Sequence, residues 1–118
     1  MSFLKRVAAS SSLTEAQIES LLLYRRVMSG DLSLSEAGKL RTPKPTTVGA
    51  YYRVVQQGKD NVKAAIMTVT AGIWLGYLKP DDLKRLFELV AKTPFPFEKE
   101  PPEELLAALQ ALVEKLVT

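Results

Sequence analysis

The 118-residue chain predicts an all-α fold, a small bundle with a long central helix and an appended C-terminal amphipathic helix. Thr14-Glu15-Ala16-Gln17 and Ser33-Leu34-Ser35-Glu36 both have the form of a capping box, in which a hydroxyl and a side chain three residues on satisfy N–H groups that a helix start leaves open. Apolar residues recur at intervals of three and four from Val48 to Ile73, the spacing of one helix face. No stretch alternates with period two long enough to demand a strand, although Val54-Val55 and Thr68-Val69-Thr70 carry β-branched content.

Residues 1–12 read as a flexible N-terminus, with Ser10 to Ser12 as a lead-in. The helical domain spans residues 13–92. Its first helix begins after Thr14 and ends near Met28, with Ile18, Leu21, Leu22, Tyr24 and Met28 as apolar positions and Gly30 suited to a left-handed C-terminal site. The second runs from Leu34 to about Leu40, exposing Lys39 and burying Leu34, Ala37 and Leu40. Thr42-Pro43-Lys44-Pro45 stops it, because proline lacks an N–H and restricts the residue before it.

Thr46 or Thr47 caps a third helix, whose apolar face is Val48, Tyr52, Val55, Val62, Ile66, Val69 and Ile73. The phase continues through Gly58, which favours one helix from Thr47 to about Leu78 over a break at Gly58-Lys59 with Asp60 as a new cap. The most apolar run, Ala64 to Leu78, reads as a buried core helix with Trp74 packed and with Gly72 and Gly76 allowing close helix approach. Lys79-Pro80-Asp81-Asp82 starts another helix, with proline at its first position, acids in its first turn, and Leu83, Leu86, Phe87 and Val90 as core stripe.

Residues 93–102, TPFPFEKEPP, hold four prolines and read as an extended linker with Phe95 and Phe97 available to pin it to a surface. Residues 103–118 form a final helix in which Leu105, Leu109, Leu112 and Leu116 are spaced four, three and four. A helix of about fifteen residues is marginal alone in water. The leucine stripe is therefore expected either to fold back on its own domain or to self-associate, with a dimer favoured.

Composition narrows the function. With 47% hydrophobic and 25% charged residues the chain has the balance of a soluble globular protein. It contains no cysteine and no histidine, which excludes disulfides and thiolate metal sites and removes the usual general base. Asp81-Asp82 and Glu103-Glu104 are explained as first-turn charges that favour helix N-termini, so neither an enzyme nor a cofactor is expected. The apolar run is shorter than the roughly 20 residues of a membrane span, and the N-terminus falls short of a signal peptide, so cytoplasm is the default location.

The net charge is +3 and unevenly spread. From Lys39 to Ala64 six basic residues (Lys39, Arg41, Lys44, Arg53, Lys59 and Lys63) face the single acid Asp60, whereas from Asp81 onward eight acids outnumber five bases. Basic residues around a helix start suit a polyanion, because they displace condensed counterions while helix N-terminal amides bind phosphate.

LSLSEAGKL, the RTPKP turn and TTVGAYYRVV together resemble a helix-turn-helix unit over about residues 32–57. The resemblance implies that the second helix is the recognition helix, with Thr46, Thr47, Gly49, Ala50 and Arg53 toward the major groove and Gln56 and Gln57 further along; the basic charge of the turn is expected to put Arg41 and Lys44 on phosphates. Lys39 and Lys59 complete the basic set. The RTPKP turn is longer and richer in proline than the tight glycine-containing turn of many such units.

Tyr52 is expected in the core. Tyr51 lies toward the border, either stacking on an unpaired base or covering the core edge. DNA binding is the expected function, with RNA as another target and a single-stranded binder using Tyr51 as an alternative. A protein-interaction module acting through the leucine-striped tail is the rival from a different class.

Overall fold

A computed structural model describes residues 3–92 and 103–117, and within them every regular element is a helix. In chain order these are α1 (Phe3–Ser10), α2 (Glu15–Met28), α3 (Leu34–Lys39), α4 (Val48–Trp74), α5 (Pro80–Ala91) and α6 (Glu103–Leu116). The chain divides into two compact units, Met1–Ala65 and Ile66–Thr118, with the boundary inside α4. The linker expected at residues 93–102, with Phe95 and Phe97, lies outside the described residues.

In the first unit, α1 departs from expectation, since a helix forms where a flexible lead-in was predicted. Eight residues cannot hold helical form by propensity alone. Packing against α2, which leaves Leu4 and Val7 half-buried, supplies what the local sequence lacks.

Both capping boxes form. The Thr14 hydroxyl accepts from the Gln17 N–H and the Gln17 side chain accepts from the Thr14 N–H, each at 3.1 Å. Ser33 and Glu36 exchange the same pair of bonds at 3.1 Å. Gln17 is buried, and its Oε1 also accepts from Asn61 Nδ2 at 2.8 Å, so one amide caps α2 and ties it to α4.

In α3 the buried positions are Ala37 and Gly38, and Leu40 is exposed. The turn explains the difference from the predicted Leu34, Ala37 and Leu40 face. The Thr46 N–H donates to the Gly38 carbonyl at 2.9 Å, and a Cβ on Gly38 would stand 2.9 Å from the Thr46 carbonyl oxygen. The returning chain occupies the space a side chain would need.

α4 is one helix through Gly58, as the unbroken phase predicts. Its buried stripe is Tyr51, Val55 and Gly58, while Val48, Tyr52 and Val62 are exposed. Val55 belongs to both faces, and the buried stripe is turned from the predicted one by about half a residue's rotation. Glycine contributes nothing to an apolar count, yet Gly58 lies directly against α2, since a Cβ there would stand 2.9 Å from Leu21 Cδ1 and 3.1 Å from its Cγ. The close crossing sets the phase. Ala37, Tyr51 and Val55 form the core, with Leu21, Leu23, Tyr24, Val27, Leu32 and Leu34 packed around them.

In the second unit, α4 ends at Trp74 and not near Leu78. Gly76 adopts φ 85°, its N–H bonds the Ile73 carbonyl at 3.1 Å, and the Tyr77 N–H bonds the Gly72 carbonyl at 2.9 Å. This is a Schellman ending, which requires a left-handed residue at that point. Gly76 is therefore a terminator, and Gly72 is the floor on which Leu78 rests.

The predicted burial of Ala64 to Leu78 does not occur. Ile66 and Met67 are exposed, and Trp74, expected in the core, is 78% exposed. Apolarity supplies the driving force, but burial needs a facing element; among the described residues Val69 to Ile73 are only half-buried, and Ile73 shares an open groove with Leu83 and Phe87 of α5. α5 packs on α6. Leu83 and Leu116 are buried, whereas Phe87 and Val90, expected in the stripe, are largely exposed. No described helix is long and apolar enough to cross a membrane.

Candidate nucleic-acid interface

The residues expected to meet a polyanion lie on α3, the turn after it and the first half of α4, all within the first unit. Thr47 caps α4, its hydroxyl accepting from the Ala50 N–H at 3.2 Å and its carbonyl from the Tyr51 N–H at 2.9 Å. Thr46 is half-buried and closes the turn onto Gly38. Gly49, Ala50, Arg53 and Gln57 are exposed and Gln56 is half-exposed. At 3.6 residues per turn, Gly49, Arg53, Gln56 and Gln57 stand away from the buried Tyr51, Val55 and Gly58. Lys39 and Lys44 are exposed at either end of the turn.

Electrostatics favour an anion at this helix end. α2, α3, α5 and α6 carry an acid in the first turn; the short α1 and the long α4 carry none. The positive end of a 27-residue helix is left without a compensating carboxylate from its own first turn, with Lys44 shortly before it and Arg53 one turn beyond.

Two expected site residues do something else. Arg41 Nε donates to Glu19 Oε1 at 2.8 Å and its Nη1 to the Ser20 hydroxyl at 2.9 Å, leaving its side chain only 12% exposed. The Thr42 N–H donates to the same Glu19 oxygen at 2.9 Å, and the Thr42 hydroxyl donates to the other. Arg41 and Thr42 are therefore held down on α2, and Arg41 is not a free phosphate contact. Burial pushes the Glu19 carboxyl upward, but the hydrogen bonds from Thr42 and Arg41, together with the guanidinium charge, outweigh it and hold the group below its ordinary value. Charge counting alone could not find this partnership, since the residues are 22 positions apart in the chain.

Tyr51 is the second correction. It is fully buried, and its hydroxyl donates to the Ser20 carbonyl at 2.9 Å, so it offers no ring for a base to stack on. Burial, with a smaller contribution from Tyr24, pushes its pKa up to about 12 against the opposing pull of Arg41. Tyr52, expected in the core, is exposed and pairs with Tyr24 at 6.3 Å between ring centroids. Lys59 sits half-buried with its ammonium 4.4 Å from the centre of the Tyr24 ring, a cation–π contact that draws it to one edge of the exposed face.

The leucines proposed for oligomerisation lie in the second unit. Leu105, Leu109 and Leu112 are half-buried and Leu116 is buried, on a helix that packs against α5. Folding back within the chain thus uses part of the stripe. Comparison with protein-family models, curated proteins and solved structures gives no match, so the site is read from its own geometry.

Proposed function

We propose that the protein binds duplex DNA, with α3 and α4 acting as a helix-turn-helix unit and the first two turns of α4 as its reading surface. The observation that carries this reading is the two-sidedness of α4. Tyr51, Val55 and Gly58 anchor it on the core, while Gly49, Ala50, Arg53 and Gln57 remain in solvent at a helix start that lacks an acid. Glycine and alanine leave room for close approach to a groove floor, and arginine and glutamine have the paired donors and acceptors that discriminate guanine and adenine. Lys39 and Lys44 supply phosphate contacts from the turn. The burial of Tyr51 favours duplex over single-stranded nucleic acid, because it removes the stacking platform the single-stranded alternative needs.

The test is binding to a random-sequence duplex pool, to single-stranded DNA and to RNA at two salt concentrations, followed by selection of the preferred duplex. Arg53→Ala is expected to cost about 1–3 kcal/mol on the selected duplex and to relax discrimination. Replacing Lys39 and Lys44 together by alanine should weaken all duplexes alike and reduce the salt slope by roughly two ion equivalents. Arg41→Ala should act through folding and lower the melting temperature. A wild-type protein that binds no duplex at low salt would overturn the reading.

A further inference from the structure

Among the described residues from Ile66 onward only Leu83 and Leu116 are buried large apolar side chains, while Ile66, Met67, Trp74, Leu75, Tyr77 and Phe87 are all more than half exposed. Met67 and Trp74 are seven residues apart on α4 and share a face, with Ile66 and Ile73 on the face beside it. Ile73 also lines an open groove of about 480 Å³ whose other walls include Pro80, Leu83, Phe87 and Ala91, with Lys84 and Glu88 among them. Trp74 alone, at 78% exposed, shows roughly 200 Å² to water. Monomeric proteins rarely carry a contiguous apolar patch beyond about 300–600 Å².

We propose that this surface docks a second copy of the chain, forming a twofold dimer through the α4 end and α5. Two features point to a second copy as the occupant. The surface has both halves of a joint, an apolar groove and large protruding side chains next to it, and a twofold axis fills each groove with the other copy's protrusions. Lys84 and Glu88 stand one turn apart on α5, so an antiparallel crossing of α5 on its equivalent brings each Lys84 to the partner's Glu88. A standard interface needs about 800 Å² from each partner, of which Trp74 alone supplies roughly a quarter. The inference goes beyond the DNA reading and does not depend on it.

The test uses the full chain without nucleic acid. Sedimentation should give twice the 13.1 kDa monomer mass, falling to the monomer on dilution. Trp74 is the single tryptophan, so its emission should shift to the red and its quenching by acrylamide should rise in step with that dissociation. Met67→Glu and Leu75→Glu, at positions exposed in the monomer, should weaken self-association at least roughly tenfold with the helical circular dichroism retained. Lys84→Glu should weaken it as well, and Lys84→Glu combined with Glu88→Lys should restore it. A wild type that stays monomeric across the concentration range, or self-association indifferent to both glutamate variants, overturns the proposal. Failure of the double exchange to restore what Lys84→Glu loses overturns the twofold pairing.

Discussion

Tyr51 shows how a single residue changes the functional reading. In the sequence it is one of two adjacent tyrosines beside an arginine, and helical phase alone left the core to Tyr52. Among the described residues Tyr51 is the largest fully buried side chain, with its hydroxyl fixed on the Ser20 carbonyl. Two consequences are measurable with one variant. Tyr51→Phe keeps the ring and removes the hydrogen bond, so it should cost about 1 kcal/mol. The phenol also gives stability an alkaline limit. Its pKa in the fold is about 12, above the value of about 10 expected of an unfolded chain, so the fold holds that proton more tightly. The contribution is whole below about pH 10 and is lost as the pH rises through about 12, a change on the order of 2 kcal/mol. Urea melts between about pH 9 and pH 12 should show this extra loss in the wild type and not in Tyr51→Phe. Parallel curves for the two proteins would disprove the assignment. Comparing variants cancels lysine titration, which both proteins share.

Among the elements, those signalled by local chemistry were legible and those set by tertiary approach were not. Both capping boxes mark their helix starts because the hydroxyl and its partner three residues on are local. α1 has no local signal because its formation depends on α2, and the buried face of α4 is turned from the apolar count because Gly58, which that count ignores, lies on it. Gly58 and Gly38 are both close-approach sites, yet they should respond differently to a methyl group. At Gly58 the obstruction is a side chain, that of Leu21, and alanine gains up to about 1 kcal/mol of helix propensity against an overpacking cost of about 1–3 kcal/mol. At Gly38 the obstruction is the Thr46 carbonyl oxygen, part of the backbone bridge that closes the turn. Gly38→Ala should therefore destabilise more than Gly58→Ala in urea denaturation. It should also weaken duplex binding, since the turn positions the start of α4. Equal or reversed losses would mean that the turn adapts freely.

Across the whole chain, charge and burial divide along the same line as the two compact units. Met1–Ala65 carries ten basic residues against five acids and holds the shared core of Ala37, Tyr51 and Val55; Ile66–Thr118 carries six basic residues against eight acids and, among its described residues, buries little. The charge division is legible in the sequence because charge is a property of composition. The burial division is not, because Ala64 to Leu78 is the most apolar run yet is left largely uncovered, and hydropathy measures the tendency to leave water without naming the surface that receives it. Local opening free energy follows buried contacts, so amide exchange should be slowest around Ser20 and from Tyr51 to Gly58, and faster throughout α5 and α6 in dilute protein. Raising the protein concentration should slow exchange in α5 and at Ile73 to Leu75 while leaving Tyr51 to Gly58 unchanged, because docking a second copy stabilises only what it covers. Hydrogen exchange followed by mass spectrometry over a concentration series distinguishes the outcomes. Protection in α5 and α6 that already equals that of Tyr51 to Gly58 at the lowest concentration would show that the second unit is stable by itself, and would remove the need for a covering partner.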